Sequence, residues 1–172
     1  MNTGQTMLAM GAMMLLSFIV LRFNSIHLTS AQASYNSKFG IVATSLANSL
    51  IEEAKDRAFD AKALDSTITI TSASDFSTTL GKEVGEIYPD FNDFDDYDNL
   101  FYIDSLSLKN PQTGLPTKFE IRSTVEYVSD ATPWIKSMVK TYHKKIVVSV
   151  FSSAMMDTVQ LGTVFSFWTL LD

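Results

Sequence analysis

The hydrophobic pattern of the chain changes character twice. Residues 1–21 carry no charged side chain, and 7–21 read MLAMGAMMLLSFIVL, apolar at thirteen of fifteen positions. As a helix, 1–21 would span about 30 Å, close to the hydrocarbon thickness of a bilayer. Asn2, Thr3, Gln5 and Thr6 dilute its start, and the small residues Ala9, Gly11 and Ala12 would allow close approach of a second helix. The first charges are Arg22 and Lys38, and the first proline is Pro89. A helical pattern therefore continues past the apolar run.

Residues 24–37 are mixed in polarity and rich in Ser, Thr, Asn and Gln, so their helix propensity is mediocre and a kink or local melting is expected there. From 39 to 63 the pattern becomes amphipathic. Phe39, Val42, Leu46 and Leu50 recur every three or four residues, with Ile51, Ala54 and Ala58 beside them. Glu52, Glu53, Lys55, Asp56 and Arg57 lie largely on the other faces, and Glu53 and Arg57 form a favourable i,i+4 pair. A helix over 5–60 would be roughly 80 Å long, whereas a head of about 110 residues is nearer 30 Å across. Half of such a stem must bury its apolar surface in lipid or against other subunits.

Beyond Leu64 the period becomes two. Residues 66–72 (STITITS) read as a short strand, and 73–80 as a helical turn capped by Ser74 or Asp75, with Phe76 and Leu80 on one face. A strand is expected over 101–108, and then a turn over 109–116. The next strand, 117–128, places Phe119, Ile121, Ser123, Val125 and Tyr127 on one face. After a break at 129–134, two long strands are expected at 138–151 and 159–170. The fold class is α+β: a long N-terminal helix, apolar in its first half, packed by its second half on an antiparallel head of about four to five strands. The expected division is a stem over 1–62, with 1–28 as its hydrophobic segment, and a β-rich head over 63–172.

Composition narrows the function. The net charge of −6 lacks the basic excess a nucleic-acid binder needs to neutralise phosphates. Without cysteine there is no disulfide, thiolate metal site or cysteine nucleophile. His27 and His143 are too far apart in sequence to suggest a zinc site. Gly81 and Lys82 are not a phosphate loop, because Phe76 and Glu83 stand where the motif needs glycine and a hydroxyl. With no nucleophile elbow or glycine-rich loop either, an enzyme is not expected, and His143 beside Lys144 and Lys145 reads as a structural histidine. The apolar run has no preceding Lys or Arg, and the small-residue triplet Ala31, Gln32, Ala33 lies ten residues beyond it, so a retained segment is expected rather than a cleaved signal.

Five aspartates fall within residues 90–98. A solvated acidic loop, with Phe91, Phe94 and Tyr97 tucked against the core, is the expected arrangement. Asp93, Asp95, Asp96 and Asp98 also offer the hard oxygen ligands that calcium prefers, although the glycine and closing glutamate of an EF-hand are missing.

An apolar helix that continues as an amphipathic one, followed by an antiparallel sheet, resembles the type IV pilins and pseudopilins. Gly4, Gln5, Thr6, Met7 and Leu8 are similar to that family's processing junction, with Gln5 in place of its phenylalanine and Ala9 in place of its acidic residue. Phe94, Asp95, Asp96, Tyr97 and Asp98 resemble an acidic Phe-Asp-Asp motif found after the stem in some minor pilin-like proteins. The resemblance implies a structural subunit held in the inner membrane and then polymerised into an extracellular, cell-surface filament. Its partners would be further copies of itself and a pilus or secretion assembly machinery. A positive-inside count of Arg22 and Lys38 points the other way, towards a cytoplasmic head. Filament or membrane packing is expected of Met7, Met10, Met13, Met14, Leu15, Phe18, Ile19 and Leu21, and stem-to-head packing of Phe39, Val42, Leu46, Leu50 and Ile51. The alternative is a single-pass minor pilin or pseudopilin that acts as an adaptor or binding module without polymerising.

Overall fold

A computed structural model describes residues 2–110 and 113–167. Its first element is the helix α1, Thr3–Lys55, which includes the polar stretch 24–37 as helix. The chain divides into two compact units within α1, Met1–Lys38 and Phe39–Asp172. This division falls inside the helix. The reason is that Phe39, Ala43, Ala47, Leu50, Ile51 and Ala54 form a buried stripe that belongs to the core of the second unit.

The helix ends earlier than its pattern suggests. The Ala58 carbonyl accepts from Phe94 N at 2.8 Å, and Ala58 N donates to Asn92 O at 3.4 Å, making a parallel bridge between Ala58 and Asp93. A backbone paired in this way cannot continue the i to i−4 ladder, so helix resumes only as α2, Ala61–Leu64, capped by Asp60.

The expected strand over 66–72 is absent. Asp65 Oδ1 accepts from Thr67 N at 2.9 Å, and Asp75 Oδ2 accepts from Thr71 N and Ser72 N at 2.9 and 2.8 Å. Short polar side chains thus satisfy the amides that a sheet would have used. A one-turn 3-10 helix, Ala73–Asp75, follows. It is capped at Ser72 rather than at Ser74 or Asp75, and Phe76 beyond it is buried.

Five strands follow: β1 Phe101–Lys109, β2 Pro116–Ser129, β3 Thr132–Lys136, β4 His143–Phe151 and β5 Val159–Ser166. They form one antiparallel sheet in the order β1-β2-β4-β5, with β3 paired to β2. The short fifth strand is therefore β3, which overlaps the end of the stretch expected as a break, and not 66–72. Residues 138–142 lie outside β4. Ser137 Oγ and Thr141 Oγ1 donate there to the carbonyls of Val139 and Val128, at 2.7 and 2.6 Å. The 168–170 part of the last expected strand lies outside the described residues. Between β1 and β2, Gly114 adopts φ +70°, and its amide donates to Asn110 O at 2.8 Å.

The inward face of β2 carries Phe119, Ile121, Ser123, Val125 and Tyr127, all buried. In register beside it, β4 turns Lys144, Ile146, Val148 and Val150 to the same core. The helical stripe packs on this layer, with the Phe39 and Phe119 rings 6.4 Å apart. Phe59, Phe76, Phe91, Phe94 and Tyr97 close the core from the connecting segments. Burial of a side chain such as Leu50 contributes about 1.5–3 kcal/mol.

Candidate functional site: an apolar helix surface and a buried acidic centre

In the first unit, the apolar side chains expected to pack in a filament or membrane all face outward. Met7, Met10, Met13, Met14, Leu15, Phe18, Ile19 and Leu21 are exposed, from 56% at Phe18 to 78% at Met7. Leu8, Leu16, Val20, Phe23, Ile26 and Leu28 are exposed as well, so the greasy surface runs round the helix rather than along one stripe. A helix apolar on every side needs lipid or protein around it. Among the described residues, α1 is the one helix long and apolar enough to cross a membrane. Within this surface the Arg22 guanidinium lies 5.2 Å from the centre of the Phe18 ring.

Within the second unit, Phe39, Leu50 and Ile51 are buried, and Val42 and Leu46 are half-buried. Ala43, Ala47 and Ala54 on the same stripe have no exposed surface and belong to the core cluster. Glu53 accepts from the hydroxyls of Tyr97 and Tyr88, at 2.8 and 3.3 Å, and Arg57 is drawn to both Tyr97 and Glu53.

The acidic stretch is not a solvated loop. Asp93, Asp95 and Asp96 are buried with Phe91, Phe94 and Tyr97, around a 3-10 turn Asp95–Tyr97. The turn folds by local side-chain capping. Asp93 Oδ1 accepts from Asp95 N and Asp96 N at 3.0 and 3.2 Å, while Asp96 Oδ2 accepts from Asn92 N and Asp93 N at 3.0 and 3.2 Å. Contacts with β2 dock the turn on the sheet: Ser123 Oγ donates to Tyr97 O at 2.6 Å and Val125 N to Asp98 Oδ1 at 2.8 Å.

A lysine anchors the centre. Lys144 Nζ donates to Phe59 O at 2.7 Å, to Asp60 Oδ2 at 2.9 Å and to Asp95 Oδ1, with none of the three side chains more than marginally exposed. Asp60 also accepts from Ser77 N at 2.9 Å and Ser77 Oγ at 2.8 Å. The Phe59 and Tyr127 rings lie 4.6 and 5.3 Å from the ammonium. Burial pushes the Asp60 carboxyl up, but Lys144 and the Ser77 hydrogen bonds outweigh it and hold Asp60 below its ordinary range. Asp95 remains raised, because its burial exceeds the pull of Lys144. At Asp93, burial and then repulsion from Asp95 and Asp96 raise the carboxyl to about 8. One lysine cannot neutralise four buried carboxyls, so the centre retains protons at neutral pH.

The four aspartates considered as calcium ligands are thus split between different tasks. Asp95 pairs with Lys144, Asp93 caps the turn, Asp98 holds β2, and Asp96 alone reaches a carboxylate cluster, with Glu83 and Glu86. His143 is half-buried, with Nε2 2.6 Å from Asp130 Oδ1 and Nδ1 2.7 Å from Ser166 Oγ. Lys144 and Asp60 were not marked by any motif. The signal for Lys144 was its place in HKKIVVSVF, two residues before Ile146 on the inward face. Comparison of the chain with protein-family models, curated proteins and solved structures gave no match.

Proposed function

We propose that this chain is the structural subunit of a pilus-like filament, held in a membrane before assembly and polymerised through its apolar N-terminal helix. The observation that carries the reading is the outward-facing apolar surface of residues 7–28, which no described residue of the first unit covers. In lipid this surface is solvated by acyl chains. In a polymer the same side chains would pack against the helices of neighbouring copies, so the subunit exchanges one apolar environment for another. The buried acidic centre has a structural role in this reading: it fixes the connecting segment 59–98 to the sheet. Assembly would deliver the filament to the cell surface and would require a pilus- or secretion-type machinery.

Because the chain has no cysteine, single introduced thiols report on cover directly. In lipid-free material sheared from cells, Leu15→Cys should resist a water-soluble maleimide, while Val84→Cys in the second unit should react. Free reaction at Leu15→Cys, or absence of the chain from sheared material, contradicts polymerisation and leaves the anchored adaptor.

A further inference from the structure

We propose that Glu83, Glu86 and Asp96 form a calcium site on the connecting segment of the second unit. One carboxylate oxygen from each of the three lies within 4.8 Å of the others. Oxygens bound to calcium at 2.3–2.6 Å sit about this far apart at most. Three carboxylates gathered so closely repel unless a cation or protons join them. Among the described residues, no lysine, arginine or histidine forms an ion pair with any of them.

Asp96 supplies the independent indication of a ligand. It is 1% exposed, and its Oδ2 is used by the amides of Asn92 and Asp93. Its Oδ1 is buried with no hydrogen-bond partner, which is costly for a carboxylate unless something else meets it. The other two ligands are preset by the chain: Glu86 Oε2 accepts from Glu83 N at 2.9 Å, and Glu86 Oε1 meets the Asn92 amide. Gly81 and Gly85, at φ +113° and +103°, shape the loop that carries both glutamates.

The donor set selects the ion. All three ligands are hard oxygens with no nitrogen or sulfur, which disfavours zinc and copper. Glu83 is exposed, so water can complete the six to eight positions calcium takes in its flexible geometry, whereas magnesium demands a compact octahedron. The site is separate from Lys144, which serves Asp60 and Asp95. It is also independent of the filament reading, since the ligands all lie in the second unit.

The test uses the full chain in detergent micelles, stripped with EDTA and titrated with calcium chloride by calorimetry, with Tm followed in parallel. One calcium per chain is expected, with Kd of about 10⁻⁴–10⁻³ M and a Tm rise of at least about 3 °C at saturation. Glu83→Gln and Glu86→Gln should each weaken binding at least about tenfold, while Asp90→Asn, exposed and outside the cluster, should leave it unchanged. Glu83→Gln, at an exposed side chain, should keep the apo Tm, so its loss of binding is separable from misfolding. No binding up to 10 mM calcium overturns the proposal. So does a response undiminished in the double glutamine variant, one matched by sodium chloride at equal ionic strength, or one equalled by magnesium.

Discussion

Lys144 Nζ lies 2.9 Å from Asp60 Oδ2, and both side chains are wholly buried. The two residues join β4 to the segment that follows α1, and Asp95 completes the bridge from the acidic turn. Removing the ammonium strands two carboxylates in a low-dielectric core. Lys144→Ala should therefore cost about 3–5 kcal/mol, read by urea unfolding of the full chain in detergent. Lys145→Ala should cost at most about 1 kcal/mol, since Lys145 pairs with the half-exposed Glu126. Equal losses in the two variants would contradict the placement of Lys144.

Asp93 gives the centre a pH dependence. Its folded carboxyl titrates near 8 because of burial and then of Asp95 and Asp96, whereas an unfolded aspartate titrates near 4. Between these values the unfolded chain has released a proton that the folded chain still holds. Stability therefore falls as pH rises from about 4 to about 8. Asp93→Asn keeps the acceptor used by the amides of Asp95 and Asp96 and removes the titration. In EDTA, the Tm of the variant should gain on that of the parent between pH 5 and 8. Parallel Tm curves would show that Asp93 does not hold this proton.

The helix stripe is tested by size in both directions. Leu50→Ala should cost about 2–5 kcal/mol, because Leu50 is 1% exposed. Ala47→Leu should cost about 1–3 kcal/mol, because Ala47 is wholly buried in the core cluster and a larger side chain must displace its neighbours. Denaturant unfolding checks both, and a loss well under about 1 kcal/mol at either position would place that residue outside the core.

Periodicity made the scaffold legible: the helix stripe around Phe39, Leu50 and Ile51, and the inward face of β2 from Phe119 to Tyr127, both follow from spacing alone. What spacing missed was competition from polar side chains and from distant pairing. Residues 66–72 alternate like a strand, but Asp65 and Asp75 take the amides of Thr67, Thr71 and Ser72. The helix stops at Lys55 because Ala58 pairs with the acidic segment, a contact 35 residues away in the chain. The acidic run itself looked solvated because charge suggests water. It is buried because Lys144, on the inward face of β4, meets Asp60 and Asp95 there. That lysine was visible in the alternation of β4, but only a partner brought by the fold explains why it can be inside.

The proposed filament role rests on the exposed apolar surface of residues 7–28, and electron microscopy of the purified full chain after detergent removal tests it most directly. The account predicts ordered filaments of uniform diameter with a regular helical repeat. Dispersed particles under all assembling conditions, or amorphous aggregate without a repeat, would contradict it.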